Sequence, residues 1–119
     1  MYHQDWLMRQ IEQAVQAAAR ILFGRDAARP EESEEAGRAG ELSAGIHART
    51  EKGRLKEAAD FLEETLEPSD MRQVKAALDF YETANRLGDR ELAEGGLPRE
   101  ELEASLGRLL AQFGMDALL

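Results

Sequence analysis

Apolar residues recur at spacings of three and four along most of this chain, the period of helices that bury one face. The clearest stretch runs from Leu55 to Leu87. In its first half Leu55, Ala58, Ala59, Leu62 and Leu66 share a face, Phe61 widens it, and Lys56, Glu57, Asp60, Glu63, Glu64 and Glu67 fill the opposite one. Pro68 stops that helix, because it disfavours helical angles at the residue before it and has no N–H to donate. Glu67-Pro68-Ser69-Asp70 then forms a polar turn, and Asp70 with Gln73 has capping-box spacing. In the second half Met71, Val74, Leu78, Tyr81 and Asn85 form one seam, and Ala77, Phe80, Ala84 and Leu87 form another. Two seams predict cover on two sides. Gly88 is expected at the left-handed position that ends the helix. So short a link predicts an antiparallel αα-hairpin at the centre of the fold.

The same period predicts three further helices and a short turn. Leu7, Ile11, Val15, Ala18 and Leu22, broadened by Trp6, Met8, Ala19 and Phe23, give a helix over 4–23 that Gly24 ends. Asp5 suits the positive end of its dipole. This helix packs on the hairpin or pairs with its twin in a second chain. Leu42 and Ile46 carry a helix over 41–52, closed by Gly53. Asp89 to Ala93 is a short helical turn with Asp89 as N-cap. Pro98 is expected at the first helical position of the last helix, which presents Leu102, Leu106, Leu109, Leu110 and Phe113. Gly114 ends it, and Leu110 with Met115 has the spacing of a Schellman contact.

Residues 25–41 hold Pro30, two glycines and the run Glu31-Glu32-Ser33-Glu34-Glu35 without a large apolar residue. They are expected as a polar, acidic linker, or as a solvated helix start with Pro30 and the acids at its N-terminus, between an N-terminal helix (1–24) and a helical core (42–119) of one domain, 1–119. The fold class expected is all-α: about five helices as a degenerate tetratricopeptide-like or irregular helical bundle. No stretch alternates with period two, so no sheet is expected.

Composition narrows the function. Net charge is −9, which argues against nucleic acid and against an anionic membrane surface as partners. Cysteine is absent, so no disulfide or thiolate chemistry is open to the chain. The opening MYHQDWLMRQ reads as neither a signal peptide nor a membrane span, and a cytoplasmic location is expected.

The chemistry-bearing residues fall short of any catalytic pattern. His3 and His47 lack ligand spacing, and His47 with Glu51 reads as a surface pair. Ser33, Ser43, Ser69 and Ser105 stand in no nucleophile elbow, and Gly95-Gly96 lacks the lysine of a phosphate loop. Glu63, Glu64 and Glu67 read as outward and solvated. Glu82 with Arg86, Lys75 with Asp79, and Arg99 with Glu103 have the i,i+4 spacing that supports helices. No catalytic residue, cofactor or metal is expected. Tyr81 and Asn85 are polar residues in an apolar seam, and a buried Asn must find partners. They either reach a backbone group or solvent, or line a groove. Trp6, Leu7, Ile11, Phe80, Tyr81 and Asn85 are the candidate interaction surface.

Gly53, Ala58 and Leu62 recur 35 positions on as Gly88, Ala93 and Leu97. That spacing resembles the tetratricopeptide repeat, a helix-turn-helix unit of about 34 residues. The first unit lacks the early aromatic, and Gly95, Gly96 and Pro98 cut the second short. The phrases Tyr2 to Glu12, Ala77 to Tyr81 and Leu97 to Glu101 resemble a family of small uncharacterised helical bacterial proteins, chiefly from Gram-positive species. The resemblance implies fold and bacterial origin and no activity. Together these readings make the expectation a non-enzymatic protein–protein interaction or assembly domain, acting as a homodimer on a protein or peptide partner. The alternative is a small-molecule sensor or regulatory subunit with a pocket near Trp6, Phe80 and Tyr81.

Overall fold

A computed structural model describes residues 2–24 and 36–119, with the side chains of 5–24 and 40–119. Among the described residues there are six α-helices and no strand. They are α1 (Tyr2–Phe23), α2 (Ala36–Glu51), α3 (Leu55–Thr65), α4 (Met71–Asn85), α5 (Asp89–Glu94) and α6 (Arg99–Ala111), followed by a 3-10 turn at Asp116–Leu118. The all-α expectation holds.

The element at the centre is α4. It packs against α1, α2 and α6, as its two apolar seams require. Val74, Ala77, Leu78, Phe80, Tyr81 and Ala84 are all buried, and so is Asn85. Met71, at the start of the seam, is 37% exposed. The partner of α3 is different: it lies mainly along α2 and touches α6. The helices of the 55–87 stretch thus share a turn but take their main packing from other elements. That turn is tied by side chains. Asp70 caps α4 by accepting from the Arg72 N–H (3.1 Å). Gln73 donates to Asp70 (3.3 Å) while its carbonyl oxygen accepts from the Glu67 N–H (2.8 Å), so it spans the whole link.

Several boundaries move for physical reasons. Helix α2 begins at Ala36 rather than near Glu41, so 36–41 is helix and not linker. Burial of Leu42 and Ile46 against two helices carries it back through Gly37 and Gly40, against their low helix propensity. The expected acidic run 31–35 lies outside the described residues. Gly88 has φ −70°, not a left-handed angle, and is the N-cap of α5. Asp89 is one residue inside that helix, and the carboxylate that caps it is Glu91, accepting from the Gly88 N–H (3.3 Å). Pro98 is likewise the N-cap of α6 rather than its first residue.

These shifts remove the equivalence of the two Gly-Ala-Leu trios. Gly53 (φ +73°) ends α2 and Gly88 starts α5. Ala58 is buried, whereas Ala93 is exposed. The end of α6 follows the sequence closely: Gly114 is left-handed (φ +69°), and the Met115 N–H bonds Leu110 O at 2.9 Å in the Schellman pattern.

Candidate functional site

Two buried polar groups sit where the apolar stripes are interrupted. The first is built on Arg99, the opening residue of α6, whose side chain is 2% exposed. Its spacing to Leu102 puts it on the inward stripe of α6. Its Nη1 donates to Asn85 O and to Asn85 Oδ1, both at 2.8 Å. Its Nη2 donates to Leu87 O (2.8 Å) and to Asp89 Oδ1 (2.9 Å), and Nε donates to the same carboxylate oxygen at 3.2 Å. The guanidinium therefore serves carbonyls at the C-terminal end of α4, where a cation complements the helix dipole. It is held there by a carboxylate in the first turn of α5. The expected helix pair of Arg99 with Glu103 is not formed, because the side chain points the other way. Asn85 completes the group by donating to Met8 O of α1 at 2.8 Å.

The second group runs from core to surface. Tyr81 is fully buried, and its hydroxyl lies 2.7 Å from Ser105 Oγ. Ser105 donates to Glu63 Oε2 (3.2 Å), so the phenol is the donor to Ser105. Glu63 is not an outward carboxylate: its side chain is 25% exposed, and Arg108 donates to both its oxygens. Burial pushes the Tyr81 phenol well above its ordinary range. The hydrogen bond to Glu63 raises the Arg108 guanidinium further. The phenol, the Ser105 hydroxyl and both Glu63 oxygens are committed to neighbours, which makes the group a tie between α3, α4 and α6. Among the described residues no group of His, Asp and Glu is arranged to hold a metal ion.

The six candidate surface residues are not one surface. Leu7, Ile11, Phe80, Tyr81 and Asn85 are at most 5% exposed, and only Trp6, at 55%, faces solvent. Amphipathicity identified their helices correctly but placed them inward. The second expected reading of Asn85 and Tyr81, as groove lining, gives way to the first: Asn85 reaches a backbone carbonyl. Ser105 and Arg99 were legible as polar residues within the Leu102, Leu106, Leu109 stripe, although their partners were not.

An open cleft of about 140 Å³ lies elsewhere, between α2 and α4. Ile46, Ala76, Phe80 and Ala84 make it apolar, and Ser43, Thr50, Thr83, His47 and Asp79 bring polar groups to it. His47 pairs with Glu51 at 2.9 Å and Asp79 with Lys75 at 3.3 Å, both well exposed. Of the expected pocket residues only Phe80 lines it. No sequence signal marks the cleft, because its two walls, Ser43 to Thr50 and Ala76 to Ala84, are far apart in the chain.

A family model matches residues 1–114, from the start of α1 through the turn after α6. The chain belongs to DUF6483, a family of unknown function. The match spans α1 to α6, so the Arg99 and Tyr81 ties and the cleft all fall within it. No curated protein and no solved structure matches the chain. Among the described residues no helix is long and apolar enough to cross a membrane.

Proposed function

We propose that this member of DUF6483 is a cytoplasmic, non-enzymatic protein-interaction domain, of bacterial origin, that takes a peptide or helix from a partner protein on its α2–α4 face. The observation that carries this reading is the size and lining of the cleft. At about 140 Å³ it holds a single benzene-sized group. Ligand pockets run to roughly 300–1,000 Å³, so the sensor reading is the weaker one. An apolar side chain seated on Ile46, Ala76 and Phe80, with its backbone near the hydroxyls of Ser43, Thr50 and Thr83, fits better. Asp79 at the cleft, and a chain charge of −9, favour basic residues beside that anchor.

A displayed random-peptide library panned against the full chain tests this. The expected selection is an aliphatic or aromatic anchor flanked by Lys or Arg. Binding should fall about tenfold or more when Thr83→Trp fills the exposed side of the cleft. Peptides that bind the variant as well as the parent would refute the site.

A further inference from the structure

We propose that the partner segment taken by the α2–α4 cleft is a basic amphipathic helix and not an extended strand, with one apolar anchor over Ile46 and Phe80 and a cation on Asp79; this rests on the cleft being the binding site. Every residue that lines the cleft lies within α2 or α4. Ile46, Phe80 and Ala84 are its buried floor, and Ser43, His47, Asp79 and Thr83 are its exposed rims. From Ser43 to Thr50 and from Ala76 to Ala84 the walls run for about 10–12 Å, or roughly two helical turns. A volume of about 140 Å³ along that length holds one large side chain. Ala76 and Ala84 stand one turn to either side of Phe80 on α4, and small residues there let a helix laid along the cleft come close.

The main chain decides between helix and strand. An extended segment gains affinity by pairing its N–H and C=O groups with a free sheet edge. Among the described residues there is no strand, and the walls of the cleft have no main-chain donor to give. The N–H groups of residues 43–50 and 76–84 lie beyond the first turns of α2 and α4 and bond within those helices. In the last turns, the Thr50, Thr83 and Ala84 carbonyls accept from the Gly53, Arg86 and Leu87 N–H groups at 2.9, 3.1 and 3.0 Å. Thr50 Oγ1 donates to Ile46 O at 2.8 Å. The Ser43 and Thr83 hydroxyls are then too few for an extended main chain of that length. A helix arrives with its own hydrogen bonds made. Its cation also has a place. Asp79 is exposed on the rim and pairs with Lys75 at 3.3 Å, and a carboxylate accepts from more than one donor. Residues three or four apart share one side of a helix, so Lys or Arg at that spacing from the anchor reaches Asp79.

Synthetic copies of the peptides that the full chain selects from a displayed library test the shape of the occupant. The expected consensus sets Lys or Arg three or four positions from an apolar anchor, and the complex shows more helical circular dichroism than its separate parts. Proline placed between anchor and cation should weaken binding about tenfold or more, because it breaks a helix but not an extended chain. Asp79→Lys should weaken binding about fivefold, and Glu in place of the peptide's cation should restore it. Asp79 is exposed, and unchanged thermal unfolding confirms that the variant's fold is intact. Binders that Thr83→Trp abolishes, but that accept the proline and gain no helical signal, overturn the helix and leave the cleft standing. Binders whose cation is indifferent to Asp79→Lys overturn the proposal as well. A library without binders, or binders indifferent to Thr83→Trp, overturn cleft and helix together.

Discussion

Ser105 and Tyr81 share one hydrogen bond, yet removing either end of it has different consequences. In Tyr81→Phe, Ser105 still donates to Glu63, so the loss is one net hydrogen bond, about 1 kcal/mol. In Ser105→Ala the fully buried phenol keeps its hydroxyl and loses its partner, and the cost rises to about 2–3 kcal/mol. Denaturant unfolding of the two variants should show that order; equal losses would mean that the phenol finds another acceptor. The same phenol fixes an alkaline limit. Its pKa is raised in the folded state above the ordinary 10.0, so folding keeps a proton that the unfolded chain gives up. That contribution is complete below pH 10 and is lost as pH climbs toward the folded value. The melting temperature should fall above pH 10, and Tyr81→Phe should flatten that fall. Arg99 costs more to lose than either end of that hydrogen bond. Arg99→Ala leaves Asn85 Oδ1 and the Asn85 and Leu87 carbonyls without their donor, at about 3–5 kcal/mol. Lys, a point charge without the planar fork, should recover only a minority of that in the same measurement.

Between elements, small residues decide how closely helices approach. Gly45 lies inside α2, where alanine would ordinarily add about 1 kcal/mol through helix propensity. A Cβ there would sit 2.4 Å from the Phe61 ring of α3, over which the Arg49 guanidinium stacks at 4.0 Å. With that guanidinium stacked on the ring, Gly45→Ala should destabilise by about 1 kcal/mol net, overpacking outweighing propensity. A rise in unfolding midpoint would show that Phe61 swings away at little cost. Gly95 plays a similar part: its carbonyl accepts from the Lys56 N–H at 2.9 Å, which brings the end of α5 onto the start of α3. In the sequence Gly95 reads only as an interruption and Gly45 carries no signal, because their use depends on a neighbour distant along the chain.

For the whole molecule, α4 holds the fold together and α1 is its largest cover. Leu7, Ile11 and Val15 are buried along with Ala14 and Ala18. Three such large side chains contribute about 5–9 kcal/mol, as much as the entire stability of many small domains. Deleting residues 1–24 should therefore abolish cooperative unfolding in a circular-dichroism melt. A sharp transition in the truncated chain would mean that α2 to α6 form a self-sufficient core.

The sequence by itself determined the helices, most of their ends and which residues face inward, since these follow from period, prolines, caps and left-handed glycines acting within a few residues. The Schellman end of α6 and the Asp70 cap of α4 are of that kind. It also determined that α4 would be covered on two sides. Only the tertiary structure decided what covers it. It drew α2 back to Ala36, separated α3 from α4 as packing partners, and sent Arg99 and Asn85 to carbonyls on other helices. It turned five of the six candidate surface residues into core and left only Trp6 exposed. A helical period reports that a face is buried, not against what, and contacts between residues far apart in the chain supply the difference.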